Sequence, residues 1–235
     1  MLNNSWILVA HPSLPAKSVG ELIALAKAKP GGYSYGSAGP GSLPHLSAAE
    51  FARAANVELL HVPYRGAAPA MTDLMAGRIQ VISSSIGSFQ AGLEAKRIRL
   101  LLTATKQRLP YAPDVPTSAE AGIPDYLMTV WAGVVVPAGV PQAVRDRLHA
   151  LVQNMLRSEE SRKHMAGAGL DPMVTTQAEF AQFVNAEYVR WQGIVQRTGI
   201  DVEGLKARFI PQVTIDTAKE SLEWAKDRVP TGPQS

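Results

Sequence analysis

Residues 33–45 have the sequence YSYGSAGPGSLPH, in which a short strand pattern leads through a Gly-rich turn into the start of a helix. We expect a strand at residues 33–37, a loop at 38–44 and a helix at 45–55. Free N–H groups at such a helix start, together with the helix dipole, bind anions well. The same pattern also occurs as an ordinary strand-to-helix turn, so this stretch alone leaves both interpretations open.

The alternation of strand and helix continues on both sides of this loop. Upstream, an apolar run at residues 6–10 predicts a buried strand, and Ser18 with Glu21 predicts a capping box at a helix start. Downstream, the patterns predict strands at 58–62, 79–83 and 99–104, and helices at 68–76 and 87–95. This order predicts an α/β fold, a doubly wound layer with a mostly parallel sheet covered on both faces.

The pattern changes after residue 110, where four prolines within 15 residues predict a linker or a pair of crossing strands. Beyond it, residues 128–136 predict a single apolar strand. The patterns then predict helices at 141–155, 159–168 and 176–198, the last with a capping box at Thr176 and Glu179. One strand cannot form a sheet, so we expect this half to be incomplete. An extended run at 209–213, or a second copy of the chain, would supply a partner strand.

The composition excludes several classes of protein. Of 235 residues, 46% are hydrophobic and 18% are charged, which predicts a globular chain. No cysteine is present, so thiolate metal sites and cysteine nucleophiles are excluded. The net charge of +3 is scattered without a basic run, and no apolar stretch approaches a membrane span, so neither nucleic acid binding nor membrane insertion is predicted. The histidines lack metal-ligand spacing and no Gly-x-Ser-x-Gly motif occurs, so no catalytic residue, metal or cofactor is predicted.

Candidate ligand-binding groups lie where predicted strands end, because ligands of open α/β sheets bind at the carboxyl ends of the strands. Arg65 would hold a carboxylate in a two-point fork and Tyr64 would donate its hydroxyl, whereas a lone loop Arg more often faces solvent. His61 lies on a predicted strand, which favours a core histidine over a general base. The candidates are Ser37, Ala38, Gly39, Gly41, Ser42, His45, Tyr64, Arg65, Ser84 and Trp131, of which Trp131 is either a stacking platform or a core residue.

Several segments, in order, are similar to one family. They are VAHPSLPAKSVGEL (9–22), HVPYRG (61–66), PDVPT (113–117), EAG (120–122), Trp131 with PAG (137–139), and Glu187 with Trp191-Gln192. On these motifs the chain resembles the substrate-binding proteins of the tripartite tricarboxylate transporter family, the Bug-type receptors. The resemblance implies a periplasmic-binding-protein-like fold of the Venus-flytrap type, with one complete doubly wound lobe and one partial lobe. It assigns 1–126 to the second lobe with its ligand loop at 36–45, 127–200 to the C-terminal part of the first lobe, and 201–235 to an extension of unknown role.

The resemblance also implies a function, which is to capture a small carboxylate in the periplasm and pass it to membrane permease subunits. The family's first segment, with a second Gly-rich loop, has no match here, so we expect weak binding by this chain alone. Ser84 stands where the family often has Asp, which favours ligands without an amine. No signal peptide is evident, so a complete chain would be cytoplasmic. The alternatives are a truncated or repurposed intracellular protein of this fold, or an enzyme with an unrecognised site.

Overall fold

The computed structural model describes residues 1–109, 112–137, 139–167 and 170–201, and the predicted extended run at 209–213 lies outside them. The strands are β1 (Leu2–Ala10), β2 (Ser34–Ser37), β3 (Leu60–Pro63), β4 (Val81–Ser85), β5 (Arg99–Thr103), β6 (Thr129–Ala132) and β7 (Leu170–Pro172). The helices are α1 (Val19–Ala28), α2 (Leu43–Ala55), α3 (Ala67–Met75), α4 (Gln90–Glu94), α5 (Gln142–Arg157), α6 (Glu159–Gly167) and α7 (Gln177–Thr198).

The main sheet has the strand order β3-β2-β4-β1-β5, which confirms the predicted α/β layer. Strand β2 is parallel to β3 and β4, but β1 is antiparallel to both of its neighbours, β4 and β5. Four strands therefore run in one direction and β1 opposes them. The prediction of a mostly parallel sheet missed this reversal, because apolar periodicity locates a strand without giving its direction.

Strand β1 belongs to both halves of the molecule. In its second part, Trp6 to Ala10 pair with β4 and Ile7 to Ala10 with β5. In its first part, Leu2 to Ser5 pair with β6 and Leu2 to Asn4 with β7. The expectation that the strand after residue 127 lacks a partner in this chain is therefore wrong. The sequence concealed the pairing because Asn3, Asn4 and Ser5 interrupt the apolar pattern, although a ladder needs only their backbone groups.

The main sheet is covered on both faces, as predicted, and β1 supplies both cores. Side chains of a strand alternate between the two faces. Accordingly, Trp6 and Leu8 pack into a core with Phe51 of α2, whereas Ile7 and Val9 pack into a second core on the other face. The second core includes Leu74 of α3, Phe89 and Ile98.

Two helix starts carry the predicted caps. Thr176 and Glu179 form a complete capping box at α7. At α1 the Ser18 hydroxyl accepts from the Glu21 N–H at 3.2 Å, but the Glu21 carboxylate accepts from the N–H of Lys17 at 2.6 Å. The second bond thus lies one residue earlier than a capping box requires, and it still satisfies a free N–H ahead of the helix.

A buried group of three hydroxyls joins the first half of the chain to the crossing segment, residues 112–128, which leads into β6. Ser47 of α2, Ser83 of β4 and Tyr126 lie within 2.8 Å of one another through their hydroxyl oxygens. The indole N–H of Trp6 donates to Ser83 at 2.8 Å. Because each hydroxyl can donate once and accept twice, this closed group satisfies its polar atoms without water.

Helix α7 holds the crossing segment in place. Arg190 donates to the backbone carbonyls of Leu127 and Thr129, and its guanidinium also pairs with Glu187, which is only 8% exposed. Two turns further along α7, Arg197 reaches Glu50 of α2 at 3.1 Å. These bonds fix the second half against the first through carbonyls and carboxylates that burial would otherwise leave unsatisfied.

The second half exposes apolar side chains that its partial sheet does not cover. They include Val134 and Val135 after β6, and Val144, Leu148, Leu151 and Met155 on α5. Exposed apolar residues on one face of a helix are typical of a surface that normally packs against another element. Within the described ranges, no helix combines the length and apolarity needed to cross a membrane.

Candidate functional site

The Gly-rich loop between β2 and α2 bonds mainly to itself. The Ser42 N–H and hydroxyl both donate to the carbonyl of Gly39, at 3.2 and 2.6 Å. The Gly41 N–H donates to Nδ1 of His45 at 3.0 Å. Gly39 and Gly41 have φ of 121° and 73°, values that favour glycine. The N–H groups of Gly39, Gly41 and Ser42 are therefore bonded within the protein in this structure, and their role as donors to an anion stays a prediction.

A stack of three aromatic rings lies next to the Gly-rich loop and bonds to it through His45 and His61. The rings of Tyr35, His61 and His45 lie nearly parallel, with centroids 4.9 Å apart for the first pair and 3.9 Å for the second. Burial, and the neighbouring His61, lower the pKa of His45 to about 4, and burial lowers the pKa of His61. Both rings are thus neutral at pH 7. His45 accepts through Nδ1, so it positions the loop and contributes no positive charge to a ligand.

Ser37 and His61 form a hydroxyl–imidazole pair at 2.7 Å, the distance expected for a nucleophile and its base. The sequence concealed this pair because its members are 24 residues apart on neighbouring parallel strands. Ser37 is 1% exposed, however, and its oxygen also contacts the N–H and carbonyl of Gly39. This geometry supports a role for His61 in fixing the loop.

A small cleft opens beside this loop. Its polar members are Ser37, Ser84 and Ser88, and its other lining residues are Ala38, Pro44, Ala67, Ala70, Met71, Ile82 and Phe89. Ser84 shares a face of β4 with Ile82, since strand side chains alternate, while Ser83 points to the opposite core. The structure therefore brings Ser37, Ala38 and Ser84 together at one edge of the sheet.

Sequence reasoning missed part of this cleft, namely Ser88, Phe89 and the first turn of α3. Gly66 precedes that turn with φ of 122°, and no side chain caps the first N–H groups of the helix. The signal in the sequence was Gly66 itself, a residue suited to a sharp change of direction ahead of a helix. Which part of the molecule that helix start would face depended on the tertiary structure.

Of the ten predicted ligand residues, Ser37, Ala38 and Ser84 line the cleft, and the other seven do not. Gly39, Gly41, Ser42 and His45 belong to the Gly-rich loop and the start of α2, while Tyr64, Arg65 and Trp131 have other surroundings. The Tyr64 hydroxyl donates to Asp73 at 2.8 Å, and burial and this bond raise the pKa of Tyr64 to about 12, so its hydroxyl serves Asp73 instead of a ligand. Arg65 is exposed, and no described residue pairs with its guanidinium. Trp131 packs edge-to-face on Phe180 and Phe183 of α7, in a groove that also contains Leu43 at the end of the Gly-rich loop.

Comparison with known proteins identifies the family. Residues 1–200 match the tripartite tricarboxylate transporter family receptor, and the chain belongs to this family. A protein encoded in the tcbD-tcbE intergenic region of Pseudomonas sp. (strain P51) is 36% identical over 80% of this chain and 56% of its own length. Protein BugT of Bordetella pertussis is 31% identical over 82% of this chain and 59% of its own. The chain thus spans less than three fifths of these two relatives.

Solved structures confirm the periplasmic-binding-protein-like fold. Rpa4515 of R. palustris, solved with adipate, superposes with a TM-score of 0.79 at 32% identity, over 85% of this chain and 67% of that one. MatC from Rhodopseudomonas palustris, solved with bound malate, has a TM-score of 0.73 at 26% identity, over 83% and 67% of the two chains. Both are carboxylate complexes, which agrees with the class of receptor that the motifs indicate.

Proposed function

We propose that this chain is the ligand-binding part of an extracytoplasmic receptor that captures a small carboxylate for a tripartite tricarboxylate transporter. The observation that carries the proposal is the cleft in which Ser37, Ala38 and Ser84 meet the uncapped start of α3. Family membership and the relatives solved with adipate and malate support the carboxylate class.

The chemistry of the cleft suits an anion that carries a hydrocarbon part. The Ser37 hydroxyl bonds to His61 and Gly39, and the Ser88 hydroxyl bonds to Ser85, so the donors available to a ligand are the Ser84 hydroxyl and the first backbone N–H groups of α3. No acidic or basic side chain of a described residue lines the cleft. Charge-assisted bonds from such donors are short and strong. The cleft has a volume of only about 10 Å³, so it would receive at most the carboxylate end of a ligand, beside the apolar side chains of Met71, Ile82 and Phe89.

High affinity for the carboxylate requires donors from a second lobe that closes over the ligand. In a two-lobed receptor both lobes supply donors and exclude water, and closure traps the ligand. The chain covers about two thirds of the solved structures that it matches. We therefore expect dissociation constants in the millimolar range for the chain alone, and we assign delivery to membrane permease subunits, and a periplasmic location, by membership of the family.

The test is a ¹⁵N-labelled sample of the 235-residue chain titrated with succinate, adipate, citrate and benzoate, followed by NMR. At least one acid should shift the amide signals of Ala38, Ala67 and Ala68 in a saturable manner. Calorimetry then measures the dissociation constant of that acid. The titration reaches an acid concentration 20-fold above a dissociation constant of about 1 mM. If none of the four acids shifts these amides at that concentration, the proposed function fails. Micromolar binding would instead contradict the expected requirement for a second set of donors.

A further inference from the structure

Three buried polar atoms of the described residues have no hydrogen-bond partner, and all three belong to the second half of the molecule or to the strand that pairs with it. They are Oδ1 of Asn4, Nε of Arg145 and Oε1 of Gln153. Arg145 and Gln153 lie on α5, and Asn4 lies on the part of β1 that pairs with β6 and β7. Buried polar atoms without a partner are uncommon, so their grouping indicates that a further element packs here.

Arg145 and Gln153 line a groove between α5, the segment after β6 and the start of α7. The groove has a volume of about 370 Å³, and Val134, Leu148 and Phe180 form part of its apolar lining. Apolar walls that include unsatisfied polar atoms are typical of a surface that another part of a polypeptide covers.

Helix α5 continues the groove as an exposed apolar stripe. The stripe consists of Val144, Leu148, Leu151 and Met155. Spacings of four, three and four residues place these side chains on one face of the helix, and Leu151 is 58% exposed. Two helices pack side by side through this spacing, so the element that fits the stripe is a helix with a similar stripe of its own.

The sequence beyond the described residues contains such a stripe. Residues 202–235 lie outside the described ranges and outside the family match at 1–200. In them, Thr217 and Glu220 repeat the pattern of the capping box of α7, and Pro230 is a helix stop signal. The apolar positions between these signals have the same spacing as the stripe on α5. They are Ala218, Leu222, Ala225 and Val229.

The length of the chain allows this segment to reach α5. Helix α7 has 22 residues, so it is about 33 Å long. Its first turn lines the groove through Gln177 and Phe180, and the chain leaves its other end at Gly199. Residues 202–217 span up to about 50 Å when extended, which exceeds the length of α7.

Charged residues of the segment suit the unsatisfied atoms on α5. Glu223 directly follows Leu222, and a carboxylate is a strong acceptor for Nε of Arg145. The ammonium group of Lys219 is a donor of the kind that Oε1 of Gln153 lacks. Packing of the two stripes would therefore bury apolar surface and pair these polar atoms at the same time.

We propose that residues 218–229 form a helix that packs along α5 and closes the groove, so that the C-terminal segment of this chain covers the exposed face of its second half. This packing gives residues 201–235 a structural role. It does not rest on the proposed function, because no ligand takes part in it.

Paramagnetic relaxation measured by NMR tests this contact in the full 235-residue chain. Because the sequence has no cysteine, Ser221→Cys carries a nitroxide label at a single site beside the stripe. We expect the label to remove most of the intensity of the amide signals of Leu148 and Leu151, and the added substitution Leu222→Asp to restore it. A label on Glu94→Cys, at α4 in the first half, is the control and should leave both signals intact.

Three outcomes would overturn the inference. Full intensity of both signals with the label on Ser221→Cys would exclude the segment as the occupant of the groove. Loss of intensity that persists after Leu222→Asp would refute packing through the stripe. Loss of intensity in a mixture of nitroxide-labelled chain and separate ¹⁵N-enriched chain would assign the groove to a second copy.

Discussion

The imidazole rings of His45 and His61 stack with their centroids 3.9 Å apart and their planes within 8° of parallel. Each ring also bonds to the Gly-rich loop, His45 through the Gly41 N–H and His61 through the Ser37 hydroxyl. The shape of the Gly-rich loop therefore depends on two neutral imidazoles. Two charged rings at this distance would repel each other, and a protonated Nδ1 of His45 would face a donor.

Acidification should destabilise the protein through His45. Its folded-state pKa of about 4 lies below the ordinary value of 6.5, so between these values the unfolded chain binds more protons. The contribution of His45 to stability is complete above pH 6.5 and is lost as the pH falls towards 4. Urea unfolding between pH 4 and 7 measures the slope, which His45→Gln should reduce. His164→Gln is the control, because His164 is exposed on α6, and an equal effect of both variants would contradict the prediction.

The three-hydroxyl group should show an asymmetric response to substitution. Ser83→Ala leaves the indole N–H of Trp6, which is 3% exposed, without an acceptor, and we expect a loss of about 2–3 kcal/mol in the free energy of unfolding. Tyr126→Phe leaves Ser47 and Ser83 bonded to each other and should cost about 1 kcal/mol. Urea denaturation gives both values. A larger loss of unfolding free energy for Tyr126→Phe than for Ser83→Ala would contradict this prediction. It would show that the Tyr126 hydroxyl contributes more to stability than the Ser83 hydroxyl.

Arg190 should slow local unfolding of the crossing segment, because it donates to the carbonyls of Leu127 and Thr129. Arg190→Gln removes donors from the carbonyls of Leu127 and Thr129 and leaves Glu187 buried without its partner, at a cost of about 3 kcal/mol. Hydrogen exchange followed by mass spectrometry should show faster exchange in peptides that contain β6 and the first part of β1. The exposed Arg162→Gln on α6 is the control, and identical exchange in both variants would exclude this role for Arg190.

Gly41 should be required for both loop shape and ligand binding. Its φ of 73° is unfavourable for a β-branched residue, so Gly41→Val strains the loop and shifts the backbone that faces the cleft. Gly122 has a similar φ of 78° with open space around it, and it lies apart from the cleft residues. Both valine variants should lose stability, by about 1–2 kcal/mol or more. Only Gly41→Val should also weaken the binding of the carboxylate identified by NMR. Equal binding by both variants would contradict a role of the Gly-rich loop in ligand binding.

The sequence predicted where most elements lie and which loop is distinctive. Local apolar periodicity and capping residues predicted the helix after the Gly-rich loop, the long helix that Thr176 caps, and the two-sided core. The family could also be inferred from the sequence, because motifs such as residues 9–22 and 61–66 can be recognised, in their order, without a structure. Of the predicted site residues, Ser37, Ala38 and Ser84 lie together at one end of the sheet, since the ends of neighbouring strands meet there, and their role as ligand residues stays a prediction.

The tertiary structure decided the relationships between distant residues. It paired Leu2–Ser5 with the strand after the crossing, directed the Tyr64 hydroxyl to Asp73, and turned the N–H groups of the loop onto His45 and Gly39. It also placed Ser84 beside the first turn of α3. Periodicity and turn chemistry act over a few residues, so they determine elements and faces. The choice of partner for each polar group depends on which faces meet after folding, and no local pattern contains that information.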